Sequence, residues 1–201
     1  PIVAYGSPVL REKCKPVENS EALQEIIKNM WETMRSAHGV GLAAPQVGKA
    51  IRLFLVDTSG FMEENEEDPE NLGDFKKVFI NAQLVESSEE LFSFNEGCLS
   101  IPDVRGDVER SEKITMRYQD EDFNEHEETF EGLKARVILH EYDHIEGKLF
   151  TDYLSPLRKN MLKKRLANIS AGKINVGYRM HFPKFKKRKT YFCTLPFTFC
   201  F

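Results

Sequence analysis

The stretch "RVILHEYDHIEG", residues 136 to 147, sets His140 and His144 four residues apart, with Glu141 directly after the first. On a helix, four residues advance about 400°, so the two imidazoles lie one turn apart on one face and can meet a single ion. Glu141 can lie beside that ion without ligating it, the position of a general base in zinc hydrolases. Two histidines do not complete a metal site, so the third ligand decides the class of reaction.

One protease pattern, HExxHxxGxxH, has its glycine at Gly147, but Phe150 stands where its third histidine belongs. A second pattern needs a downstream glutamate, and no glutamate follows Glu146. Downstream, only Asp152, His181, Cys193 and Cys200 are of ligand type, and the last three lie in or near an irregular tail. Upstream, "FNEGCLSIPDVRG" offers Cys98, between Gly97 and Leu99 and ahead of Pro102. A lone cysteine is ordinarily a small buried hydrophobe. Beside an HExxH helix, a cysteine between a glycine and a turn is the better ligand candidate, and a Cys/His₂ set leaves a fourth tetrahedral position open for water. In "GVGLAAPQVG", Gly39, Gly41, Ala43 and Ala44 allow another backbone to approach, and Pro45 stiffens the turn that presents Gln46. The same stretch also reads as a plain loop between a helix and a strand.

The elements that would carry these residues follow from periodicity. "SEALQEIIKNMWETMRSAHG" is an amphipathic helix with Leu23, Ile26, Ile27, Met30, Trp31 and Met34 on one stripe, Ser20 as its cap and Gly39 as its stop. "IRLFLVD" and "KKVFINAQLVE" read as strands, and "KITMRYQD" as a half-buried strand whose partner is "HEETFEG". A helix over residues 133 to 146, ended by Gly147, carries the histidines, and a last helix begins at Ser155 and Pro156 and ends before Gly172. "KINVGYRMHF" reads as a terminal strand. Without regular βαβ alternation the class is α+β, with residues 1–183 as one catalytic domain and 184–201 as a tail outside it.

Composition sets the bounds. At 201 residues and 23.2 kDa, with 41% hydrophobic and 30% charged residues, the chain has the profile of a soluble globular protein. No apolar run approaches the roughly 20 residues that span a bilayer, and the opening residues do not read as a secretory signal, so a cytoplasmic location and no membrane partner are expected. Cys14, Cys98, Cys193 and Cys200 are too few and scattered for a disulfide framework. The net charge of −4 conceals a basic tail, with Lys184, Lys186, Lys187, Arg188 and Lys189, on a more acidic body. That body argues against nucleic acid as the main partner. The acidic residues 62–74 read as a solvated loop.

Taken in order, "GVGLAAPQ", "EGCLS" and "HEYDH" closely resemble the three signature motifs of the bacterial peptide deformylases, and the resemblance covers about residues 1 to 183. It implies mixed and antiparallel sheets around a central HExxH helix, and removal of the formyl group from N-formylmethionine on nascent chains at the ribosome. It puts the metal ligands on Cys98, His140 and His144, the acid/base on Glu141, and the oxyanion donors on the Gln46 side chain and the Leu99 backbone N–H. Gly41 would contact the bound peptide through its backbone. One divalent ion is implied, ferrous iron in the cell, with zinc or nickel able to take its place. A methionine side chain needs an apolar pocket, for which Val40, Leu133 and Val137 are candidates because they flank catalytic residues; they read equally well as core. The tail resembles nothing in the family. The rival readings are an HExxH metallopeptidase and a ribosome- or RNA-associated protein with a structural metal.

Overall fold

The structure, a computed structural model, describes residues 1–61 and 71–183. Most of the acidic stretch and the whole basic tail, with the readings attached to them, lie outside the described residues.

The apolar stripe expected near the start forms α1 (Glu21–Ser36), capped by the Ser20 hydroxyl, which accepts from the Leu23 N–H. Such a cap is worth about 1 kcal/mol. Its buried residues Leu23, Ile27, Met30 and Met34 pack on Leu42, Leu53, Leu55, Val78 and Ile80 of the sheet below, each contributing about 1.5–3 kcal/mol when fully buried. The helix ends one residue earlier than its glycine suggested: His38 takes the left-handed conformation, with φ 53°. Gly39 serves another purpose, because a Cβ there would lie 2.7 Å from Leu99 Cδ1.

The stretch after α1 is a short strand rather than a loop, β2 (Gly41–Ala43), followed by a 3-10 turn over Ala44–Val47. With β3 (Leu53–Asp57), β4 (Lys76–Ser87), β7 (Lys113–Gln119) and β8 (Glu125–Glu131) it forms a five-stranded antiparallel sheet in the order β2-β3-β4-β7-β8. Strand β3 is buried on both faces: Leu53 and Leu55 turn to the α1 side, Phe54 and Val56 to the other. The expected pairing of "KITMRYQD" with "HEETFEG" is present, with Ile114 opposite Phe130 and Tyr118 opposite His126.

On the second face lies α2 (Gly132–Ile145), the histidine helix, packed against β2, β3, β7 and β8 through Ala135, Val137, Ile138 and Ile145. The chain leaves it through Gly147 at φ +74°, where a Cβ would fall 2.7 Å from the Arg11 carbonyl oxygen. Only glycine suits that crossing. A hairpin of β5 (Leu91–Cys98) and β6 (Ile101–Ser111) covers α2 from the other side, with Cys98 paired to Ile101 across the tight turn Leu99–Ser100. The terminal helix α3 (Pro156–Ser170) packs Leu166 and Ile169 against Val104 and Val108 of β6. The terminal strand is shorter than expected: β9 (Met180–His181) pairs in parallel with β1 (Ile2–Val3) over two residues. The helix carrying the histidines is therefore central, between a sheet and a hairpin, in an α+β fold with antiparallel main sheets.

Candidate metal centre

Three side chains from two separate elements converge on one point. The end of β5 brings Cys98, and successive turns of α2 bring His140 and His144; their ligand atoms all lie within 4.8 Å of one another. Cys98 Sγ is 3.3 Å from His144 Nε2. At a tetrahedral zinc, bond lengths of about 2.3 Å to sulfur and 2.0–2.1 Å to nitrogen put sulfur and nitrogen roughly 3.6 Å apart. The donor set and its spacing thus fit a tetrahedral ion, with one position open.

The orientation of His140 is fixed from behind. Its Nδ1 lies 2.8 Å from Glu96 Oε2, which leaves Nε2 to face the site. Arg110 donates to both Glu96 oxygens, from Nε at 2.6 Å and Nη2 at 3.0 Å, and Arg136 donates from Nη1 at 2.9 Å. Arg110 also reaches Asp143 Oδ2 at 2.6 Å, whose other oxygen accepts from Tyr153 at 3.0 Å. Two carboxylates and two guanidinium groups balance in charge, so burial does not leave an uncompensated ion. Burial alone would raise the Glu96 carboxyl, but hydrogen bonds from His140 and Arg110 hold it well below the usual range. Burial likewise pushes the His140 imidazolium down, yet its contacts with Cys98 and Glu96 carry it well above its ordinary value. His144, buried and next to His140, is pushed well below its own.

Glu141 is only 4% exposed, and burial raises its carboxyl to about 7 despite the opposing charge of His140. Among the described residues its Oε2 has no hydrogen-bond partner, nor has His144 Nδ1. The Glu141 side chain lies directly on Gly41: a Cβ built there would collide with Oε1 and stand 2.8 Å from Cδ and Cγ. Gln46 is buried beside it. Its Oε1 accepts from the Ala43 N–H at 2.7 Å, which turns Nε2 toward Cys98 Sγ at 3.5 Å. The three sequence motifs therefore meet pairwise, Gly41 on Glu141, Gln46 on Cys98 and Cys98 on His144.

The chain matches the family described as polypeptide deformylase over residues 1–160. It is 54% identical over 193 residues to the peptide deformylase of Christiangramia forsetii, covering 94% of this chain and 98% of that one. With the peptide deformylase of Flavobacterium johnsoniae it shares 52% identity over 191 residues, covering 93% and 97%. Among solved structures, the peptide deformylase from Legionella pneumophila superposes with a TM-score of 0.72 at 40% identity, covering 84% of this chain and 93% of that one. The chain belongs to the peptide deformylase family. These hydrolases remove the N-formyl group from nascent peptides, and that is the reaction of this chain. The Cys/His/His cluster agrees with their being metalloenzymes.

Of the pocket candidates, Val40 and Val137 pack in one apolar cluster with Phe61, whereas Leu133, half-buried in the first turn of α2, is not part of it. Sequence reading missed the groups behind the histidine: Glu96, Arg110, Arg136 and Asp143. A signal existed for two of them. Glu96 lies two residues before Cys98, and Arg110 sits at an inward position in the alternation of Val104, Val108 and Arg110 along β6.

Proposed function

We propose that Cys98, His140 and His144 hold one divalent ion and that Glu141 moves the proton in deformylation, and we infer that the ion is ferrous iron in the cell, with zinc and nickel as substitutes. The observation that carries this reading is the convergence of one thiol and two imidazoles beside the buried Glu141 carboxylate, whose Oε2 has no hydrogen-bond partner among the described residues. Imidazole and thiolate donors suit iron, nickel and zinc alike. A bound ion would supply a Lewis acid that acidifies water and polarises a carbonyl.

The rest is chemistry of the chain. Glu141, raised to about 7 by burial, accepts a proton from water as the oxygen attacks the formyl carbon. As negative charge develops on the former carbonyl oxygen, Gln46 Nε2 and the Leu99 N–H donate to it. Such donors are commonly worth about 100-fold to 1000-fold each. Glu141 then returns the proton to the departing amine as the C–N bond breaks, giving formate and a free N-terminus. Small residues at Gly41, Ala43 and Ala44 and the close approach of Gly39 to Leu99 crowd the site. A carbonyl bearing only hydrogen fits where a longer acyl chain would not. The Gly41 backbone lies alongside the peptide, and Val40, Val137 and Leu133 offer apolar surface for the methionine.

Residues 1–183 act as the catalytic unit, on nascent chains at the ribosome in the cytoplasm, without sequence-specific contact to nucleic acid. No helix among the described residues is long and apolar enough to cross a membrane. The test is formate release from a formyl-Met peptide: Glu141→Ala should keep its metal and lose nearly all turnover, and full activity in that variant would reject the assignment. Cleavage of internal peptides by the metal-loaded protein would favour the metallopeptidase instead.

A further inference from the structure

The turn that follows Cys98 is held from outside the three motifs. Leu99 and Ser100 join β5 to β6, and each gives its carbonyl to a distant element. The Tyr178 hydroxyl donates to the Leu99 carbonyl at 2.7 Å, and the Tyr5 N–H donates to the Ser100 carbonyl at 2.9 Å. Tyr178 is itself placed by the joining of the two ends of the described chain. The Ile2 N–H donates to the Arg179 carbonyl at 2.9 Å and the Ala4 N–H to the His181 carbonyl at 2.8 Å, in the parallel pairing of β1 with β9. The Tyr178 ring and the Leu99 side chain both pack on the cluster that contains Met34 and Leu42. Tyr178 lies beyond residues 1–160, the span matched by the family description.

We propose that Tyr178 is a positioning residue for deformylation: by tying down the Leu99 carbonyl it fixes the turn, and with it the direction of the Leu99 N–H. This rests on the reading of that N–H as an oxyanion donor. The physical case is geometric. The Leu99 N–H belongs to the peptide plane shared with Cys98, and this plane swings about the backbone of Leu99 unless the next carbonyl is anchored. A donor aimed at developing charge loses its effect when displaced by about 1 Å, which commonly costs on the order of 100-fold in rate.

The test uses the full chain loaded with zinc, wild type against Tyr178→Phe, which removes the hydroxyl and keeps the ring. Metal content and melting temperature should be unchanged. KM for a formyl-Met peptide should stay within about twofold while kcat falls about ten- to hundredfold. In protein carrying ¹⁵N-leucine, the Leu99 amide resonance should shift. Tyr178→Leu should lose the same kcat and, in addition, melt lower, which separates the hydroxyl from the packing. An unmoved Leu99 amide with full kcat overturns the proposal. So does a shifted amide with full kcat, because the turn's position would then not matter to turnover, and so does a kcat loss with the amide unmoved. The reading of the site beneath it fails elsewhere, in a Glu141→Ala variant that keeps its activity with Tyr178 intact.

Discussion

Glu96 Oε2 stands 2.8 Å from His140 Nδ1, and the same carboxylate is gripped by Arg110 and Arg136. Partners of this kind fix the tautomer of a ligating imidazole, and losing one typically costs about 10- to 100-fold in metal affinity. Glu96→Gln should therefore weaken zinc binding by about that factor, read by competition with a chelator. It should also lower the melting temperature, since Arg136 loses its ion pair with Glu96 and Arg110 keeps only the one with Asp143, a defect of up to about 3–5 kcal/mol.

Glu141 gives a prediction of the opposite sign. Its folded carboxyl is raised to about 7 from an ordinary 4.5, so between those values the unfolded chain binds fewer protons than the folded one. Stability of the metal-free protein accordingly falls as pH rises through this window. Glu141→Gln removes that cost. The metal-free variant should be more stable than the wild type above pH 7 by up to about 3 kcal/mol, with the difference vanishing below about pH 4.5. Urea melts at both ends of the range check it.

Gly41 supports the Glu141 carboxylate by having no side chain. A Cβ there would stand 2.8 Å from Glu141 Cδ, far inside van der Waals contact, so Gly41→Ala must push the carboxylate aside. On the proposed role of Glu141 as general base, its displacement by about 1 Å should cost on the order of 100-fold in kcat. Metal content should be unchanged, as read by elemental analysis beside formate release.

The histidine helix, both capped helices and the β7–β8 pairing were legible because each follows one strong local rule: a 3.6-residue period, a serine at the N-cap, or alternation. Strand β6 was not. Its inward positions are Pro102, Val104, Gly106, Val108 and Arg110, and a proline, a glycine and an arginine break the alternation that marks a strand. Arg110 faces inward because Glu96 and Asp143 meet it there; its place in the alternation is a local trace, but the partners that make the position inward are supplied only by tertiary structure. The same holds for β2, whose Gly41, Leu42 and Ala43 carry little strand propensity and are held by pairing with Val56, Leu55 and Phe54 of β3. At the site, the spacing of His140 and His144 was readable from one helix, whereas Cys98 could be brought to them only by folding the β5–β6 hairpin over α2.

The most direct measurement is X-ray absorption at the metal edge of the zinc-loaded protein, wild type and Cys98→Ser. One sulfur at about 2.3 Å and two imidazole nitrogens at about 2.0–2.1 Å should surround the ion in the wild type, with the sulfur contribution lost in the variant. A wild-type spectrum without sulfur, or one that Cys98→Ser leaves unchanged, would contradict the assignment of Cys98, His140 and His144 as the metal centre.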